Sequence, residues 1–253
     1  FINKRIKLIM AYTTINKSTD YFNTKLYTGN GSTNAQTGVG FQPDFTWIKA
    51  RSNAENHNLF DAVRGATKRI RSNGAEAEDT RTTSLTAFGT DGFTLGSGSQ
   101  VNTNGWTFAA WNWKANGAGS ANTDGSISST VSVNATSGFS IVKWTGNGST
   151  ATIGHGLGVA PSVILVKNYG ASMNWISYWK ALGANKYLEF NLANAAGTGT
   201  TEWNNTSPTS SVFSVGNTGS GNQNGGSLIA YCFADVQGYS KVSGSYVGNG
   251  NAS

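Results

Sequence analysis

The sequence predicts an all-β protein, two β-sandwich modules of jelly-roll or concanavalin-like type in tandem. Three observations lead there. The apolar runs are short, rich in β-branched and aromatic residues, and bounded by Gly, Asn, Asp or Ser, as strands and their turns are. Asn-Gly pairs at 30–31, 104–105, 147–148 and 224–225 favour hairpin turns. The stretch Y-T-G-N-G-S-T at 27–33 returns as W-T-G-N-G-S-T at 144–150, the mark of a duplicated unit.

The repeat runs deep. Gly29 matches Gly146 at an offset of 117. Gly38-Val39-Gly40-Phe41-Gln42-Pro43 then matches Gly156-Leu157-Gly158-Val159-Ala160-Pro161 at 118, an offset that holds through Lys49/Lys167 and Gly65-Ala66/Gly183-Ala184. From Phe93/Phe213 to Ala110/Ala230 it is 120, and Trp111-Asn112-Trp113 falls opposite Tyr231-Cys232-Phe233. A slowly drifting offset is one fold with small changes in loop length. It places module 1 at 21–117 and module 2 at 137–238. Between them, 118–136 reads as a small-residue linker. Residues 1–20 form an N-terminal segment, and 239–253 read as the start of a third module, because Y-V-G-N-G recurs at 246–250.

Along the chain, Phe45-Thr46-Trp47-Ile48 and Val163-Ile164-Leu165-Val166 each follow a proline by one or two residues and precede a lysine, as matched strands. Phe139-Ser140-Ile141-Val142-Lys143-Trp144 and Val212-Phe213-Ser214-Val215 are further strands. Residues 62–70 carry weak helical patterning that Gly65 interrupts, whereas 186–192 alternate as a strand, so both are read as strands. The expected core is Trp47, Phe93, Trp111, Trp113, Ile164, Phe213 and Tyr231. The lone Cys232, in an apolar run, is expected to be a buried small hydrophobe.

Charged residues are only 12% of the chain, about half the usual level. Lys4, Arg5 and Lys7 supply half of the net charge of +6. Residues 1–9 differ from the rest and read as non-native upstream sequence, with Met10-Ala11 as the start. Low charge with abundant Gly, Ser, Thr and Asn fits an extracellular or virion β protein. No window approaches the length of a membrane span.

Candidate chemistry is sparse. His57 and His155 stand at unmatched positions without nearby cysteine or acidic partners, so no zinc site is expected and both read as loop residues. Glu76, Glu78 and Asp79 have no counterpart in module 2 and read as a solvated loop rather than the opposed carboxylates of a glycosidase. Arg64, Lys68, Arg69 and Arg71 form the densest basic patch. Module 2 does not keep it, so it reads as a solvated strand face and not a nucleic-acid site. The ligand-binding expectation falls on Trp175, Tyr178 and Trp179 as a glycan-stacking cluster, with Trp175 and Trp179 on one strand face and Tyr178 on the other. The alternative for the same strand is one face in the core and the other against the neighbouring module. Should the cluster fail, the loops at 98–104 and 219–226 are next. No catalytic residue, metal or cofactor is expected.

Four matched motifs carry a resemblance: residues 38–49, Leu59-Phe60-Asp61-Ala62-Val63-Arg64-Gly65-Ala66-Thr67-Lys68, Ala109-Ala110-Trp111-Asn112-Trp113-Lys114-Ala115, and Ile229-Ala230-Tyr231-Cys232-Phe233-Ala234. Together they resemble tandem β modules of marine bacteriophage proteins described as tail-fibre-like or as uncharacterised virion structural proteins. The resemblance implies a non-enzymatic virion structural protein, in the tail or another surface structure. Its expected partners are other virion proteins, further copies of the chain as a homo-oligomer and host surface polysaccharide, with neither nucleic acid nor membrane insertion. Alternatives are a polysaccharide-degrading tail spike and a capsid decoration protein.

Overall fold

Each half of the chain holds two seven-residue strands, the second closing the half and pairing back along the whole length of the first. A computed structural model describes residues 12–244. The first half holds β1 (Phe22–Thr28), β2 (Asn34–Gln36), β3 (Phe45–Ala50), β4 (Asn58–Asp61), β5 (Gly65–Ile70), β6 (Asp79–Thr80), β7 (Leu85–Gly89), β8 (Gly92–Leu95), the one-turn helix α1 (Ser99–Asn102) and β9 (Thr107–Trp113). They form a six-stranded antiparallel sheet, β1-β9-β3-β4-β5-β6, and a three-stranded sheet, β2-β8-β7.

The second half adds the hairpin β10 (Ser120–Asn122) and β11 (Ser129–Asn134), followed by β12 (Phe139–Thr145), β13 (Ala151–Gly154), β14 (Val163–Asn168), β15 (Ile176–Trp179), β16 (Lys186–Glu189), β17 (Gly197–Thr198), β18 (Val212–Val215), the helix α2 (Gly219–Asn222) and β19 (Ser227–Phe233). Its large sheet runs β10-β11-β12-β19-β14-β15-β16-β17, and β13 pairs with β18. Register repeats residue for residue: Phe22 lies opposite Trp113 as Phe139 lies opposite Phe233, and Phe45 opposite Trp113 as Val163 opposite Phe233. Among the described residues no strand of the second half corresponds to β7; that stretch turns irregularly and buries Trp203 instead.

The G-N-G turn has a steric cause. A Cβ on Gly29 would strike the carbonyl of Thr103, and one on Gly146 the carbonyl of Gln223. Gly31 and Gly148 have φ of +69° and +68°, a conformation glycine adopts without strain. A fully buried asparagine clasps each turn: Asn102 Nδ2 donates to Asn30 Oδ1 and the Ser32 carbonyl, and Asn222 Nδ2 to Asn147 Oδ1 and the Ser149 carbonyl.

Three cores separate four β layers. Between the sheets of module 1 lie Tyr27, Ile48, Phe60, Phe93, Leu95 and Phe108. Between those of module 2 lie Trp144, Ile153, Ile164, Tyr178, Trp203, Phe213 and Leu228. The third core joins the two large sheets face to face, with Phe45, Leu59 and Ile70 against Phe139, Ile141, Leu165, Trp175 and Tyr231. Phe45 stacks on Tyr231 with ring centroids 4.2 Å apart. Both faces of each large sheet are therefore apolar, and alternate residues of β19 serve different cores: Leu228, Ala230 and Cys232 one, Ile229 and Tyr231 the other.

Two expectations are corrected. Residues 118–136 are not a flexible linker. They fold back as β10 and β11, and β11 pairs with β12 to extend the module 2 sheet, while Val131 enters its core. Trp47, Trp111 and Trp113 are half-buried rather than fully buried, whereas Phe93, Ile164, Phe213 and Tyr231 are buried as expected. Residues 239–244 form no strand beyond one bridge, Val236 to Ser240. The readings of residues 1–9 and of the G-N-G at 246–250 lie outside the described residues.

Phe45→Ala removes the ring at the centre of the joint core. It is expected to cost about 3–5 kcal/mol. A denaturant melt of the variant should fall to a lower midpoint, and a midpoint equal to wild type would show that the large sheets do not depend on each other.

Candidate functional site

The acidic and basic clusters of module 1 prove to be each other's partners, which corrects the reading of both as solvated surface. Arg64 Nε bonds Asp61 Oδ2 at 2.6 Å and Arg64 Nη1 bonds Glu78 Oε2 at 3.0 Å. Arg69 reaches Asp79 Oδ1 at 2.9 Å and Asn58 Oδ1 at 3.1 Å and is buried. Arg71 pairs with Glu76 and Asp79, and Lys68 with Glu78. Module 2 has neither half of the arginine pairs at its matched positions, and of these basic residues it keeps only Lys68, as Lys186.

The Asp61–Arg64 pair sits on the seam between the modules. From module 2, Tyr231 donates its hydroxyl to Asp61 Oδ2 at 2.7 Å, and the Tyr169 ring lies 5.9 Å from the Arg64 guanidinium. Burial works against the Arg64 charge, but Asp61, Tyr231 and Glu78 outweigh it and hold the guanidinium protonated well above its ordinary range. Burial and Asp61 push the Tyr231 phenol up. Lys167 of β14 crosses the same seam, donating to the carbonyls of Ala75 and Met173. Burial holds its amine at about 8.

The Trp175, Tyr178 and Trp179 cluster is not a ligand surface. Trp175 is fully buried in the seam, where its Nε1 donates to the Arg71 carbonyl at 2.8 Å. Tyr178 is buried in the module 2 core beside Trp203. Trp179 is half-buried against the joint core, its Nε1 bonded to Ser177. The strand alternates as expected, but each face already has protein against it.

Open aromatic surface lies instead on module 1. Trp47, His57, Trp111 and Trp113 line a shallow apolar pocket of about 280 Å³ on the part of the large sheet that module 2 leaves uncovered. Register places Thr24, Trp111, Trp47 and Leu59 in one row across β1, β9, β3 and β4. Leu26, next along β1 on the same face, is 57% exposed. Trp47 stands nearly perpendicular to both Trp111 and His57. Its Nε1 donates to His57 Nδ1 at 2.7 Å, which leaves the proton of the neutral imidazole on Nε2. Burial and the nearby Lys49 lower the His57 pKa and so keep that ring neutral. In module 2 the matched positions are Leu165 and Tyr231, both buried against module 1.

The other histidine is closed inside module 2. His155 is fully buried, its Nδ1 accepting from the Leu157 amide. Cys232 is buried and its thiol is pushed up to about 12 by burial, as expected of an inert core residue. Among the described residues no group of three or more His, Cys, Asp or Glu is placed to hold a metal, and no helix is long and apolar enough to cross a membrane.

Residues 17–253 match the model of a family described as a domain of unknown function, DUF7483, and the chain belongs to that family. No curated protein and no solved structure matches it.

Asp61→Asn removes the fully buried one of the two carboxylates that pair with Arg64 and leaves Glu78 alone to answer its charge. It is expected to cost about 3–5 kcal/mol, read as a lower denaturant midpoint. Lys167 gives a pH signature. Its folded value of about 8 lies below the ordinary 10.5, so between these values the unfolded chain binds the extra proton and stability rises with pH. Wild type should therefore gain on Lys167→Met between pH 8 and 10, and a pH-independent difference would show that the amine is not depressed.

Proposed function

We propose that this chain is a virion structural protein of tail-fibre type, whose docked sandwiches carry an aromatic face that attaches to host surface polysaccharide. The motif resemblance to phage virion modules supports the virion assignment. The duplicated scaffold supports a structural role, because the polar groups it repeats in both halves, such as Asn102 and Asn222, serve the fold. The observation that carries the adhesive reading is the open pocket of Trp47, His57, Trp111 and Trp113. Three indoles on an uncovered sheet face give large stacking area at little cost in side-chain entropy. The C–H face of a sugar ring fits such a wall, and His57 Nε2 supplies a donor for a hydroxyl. A cationic ligand fits less well, because Lys49 lies close by and no carboxylate lines the pocket. The same face continues into the module seam through Trp113 and through Trp47, whose ring meets Phe190.

Binding rather than cleavage is the expected activity. On an array of host surface polysaccharides the purified chain should be retained without shortening the polymer. Trp47→Ala and Trp111→Ala should each weaken retention roughly tenfold, the equivalent of about 1.4 kcal/mol. Retention unchanged in both variants would remove this face as the site, and shortened polymer would replace the adhesive reading with that of a tail spike enzyme.

A further inference from the structure

Module 2 carries a second concavity at a place where module 1 is closed by ion pairs. In module 1, Arg69 of β5 faces Asp79 of β6 in register, and the two form a salt bridge. The matched pair in module 2 is Tyr187 of β16 facing Gly197 of β17. The equivalence is fixed next door, where Lys68 donates to Thr80 and Lys186 to Thr198 in the same way. A Cβ on Gly197 would lie 2.5 Å from the Tyr187 ring, so the glycine makes room for the tyrosine to lie across the strand. Arg71 becomes Glu189 at the same offset. Ser84 becomes Glu202, since the amide of Gly96 bonds the carbonyl of Ser84 as that of Gly216 bonds the carbonyl of Glu202. The exchange removes arginine and leaves two glutamates on a pocket of about 360 Å³, lined also by Met173, Asn174, Thr218 and Ser220.

These side chains are half-buried and held. Glu189 accepts from Asn174 Nδ2 at 2.8 Å and Asn194 Nδ2 at 2.9 Å, and Asn174 is itself fixed by Asn191 at 2.9 Å. Among the described residues neither Glu189 nor Glu202 has a Lys or Arg in salt-bridge reach. Carboxylates are acceptors and form their strongest bonds with donors arranged around them. The Tyr187 ring and the Met173 thioether add an apolar wall. Acceptors and a C–H-compatible wall lining one pocket match a pyranose ring, which presents adjacent hydroxyl donors at its edge and C–H groups on its face. With both Glu189 oxygens already accepting amide N–H groups, this glutamate is placed to receive hydrogen bonds and not to protonate a leaving group.

We propose that the pocket formed by Tyr187, Glu189, Glu202, Asn174, Thr218 and Ser220 is a sugar-binding subsite, chemically distinct from the tryptophan face of module 1. It rests on the reading of the chain as a glycan-binding protein and adds a second site to it.

The test is titration of the whole ¹⁵N-labelled chain with methyl glycosides of glucose, galactose, mannose and N-acetylglucosamine, and separately with calcium chloride, followed by amide shifts. At least one glycoside should shift the amides of Asn174, Tyr187, Thr218 and Ser220. Glu202→Gln and Glu189→Gln, which keep size and shape, should each weaken that binding by about tenfold, while Trp111→Ala should leave it unchanged. Glycoside shifts confined to the Trp47 and Trp111 face would overturn the subsite and leave the adhesive reading intact. Pocket shifts with calcium alone would overturn it in favour of a cation site. Glycoside shifts at the pocket that survive both glutamine variants would overturn the assigned contacts. No shift at either face, with no retention on polysaccharide, would overturn the subsite and the adhesive reading together.

Discussion

Asp61 has no exposed side-chain surface, and it is met from both modules at once. A carboxylate so placed must have its charge answered and its lone pairs filled, or the fold pays several kcal/mol for it. Arg64 answers the charge from three residues along the same chain segment, and Tyr231 fills a lone pair from the other module. The phenol can do this only because its ring already lies on Phe45. The apolar stack and the polar network thus fix each other. Stacking sets the register of the two large sheets, and the hydrogen bond selects that register over a slipped one. The seam continues through Trp175 to the Arg71 carbonyl and through Lys167 to the Ala75 carbonyl, so the loop between β5 and β6 is held by module 2.

The duplication was legible because its causes are local. Gly29 and Gly146 have no room for a side chain, Gly31 and Gly148 need positive φ, and the asparagines that clasp these turns recur at matched positions, 102 and 222. Strand positions followed from β-branched and aromatic runs, and the buried Cys232 from its apolar neighbours. Which face of a strand is free did not follow, because both faces of each large sheet are apolar. Alternation could place Trp175 and Trp179 together, but not say that module 1 covers them, nor that Trp47 and Trp111 stand partly outside the cover. The hairpin at 120–134 was hidden by its small residues, and Val131 and Val133 were the available signal. The Arg and Glu clusters were each noted as lacking a counterpart. Their joint absence from module 2 was the sign that they pair.

Two copies of one scaffold have therefore diverged where the scaffold does not constrain them. Positions that clasp turns or fill cores keep their chemistry, as the register of β1 with β9 and of β12 with β19 records. Positions toward the β5–β6 and β16–β17 edge of each large sheet exchange it: Arg69 for Tyr187, Asp79 for Gly197, Arg71 for Glu189. An ion pair replaced by tyrosine over glycine removes two charges together and leaves neither unpaired, which is the change a folded protein tolerates best. The exchange falls at the edge of the sheet, where β17 is the last strand.

The docking of the modules also sets what any two surfaces on the chain can do together. Phe190 meets Trp47 across the seam and Trp175 within module 2, while Glu189, one residue earlier, lines the pocket of module 2. The end of β16 thus separates an aromatic face from an acidic pocket by a single change of strand face. Sites on modules joined by a flexible linker would sample many separations, and the second binding event would be diluted by that freedom. Here β10 and β11 are strands of the sheet and not a tether, and the Asp61–Arg64–Tyr231 network fixes one module on the other. A polymer able to reach both sites would meet them at one spacing. On the proposed reading, a rigid pair of weak sites would select for polysaccharides whose repeat matches that spacing, and the seam would then be a determinant of specificity.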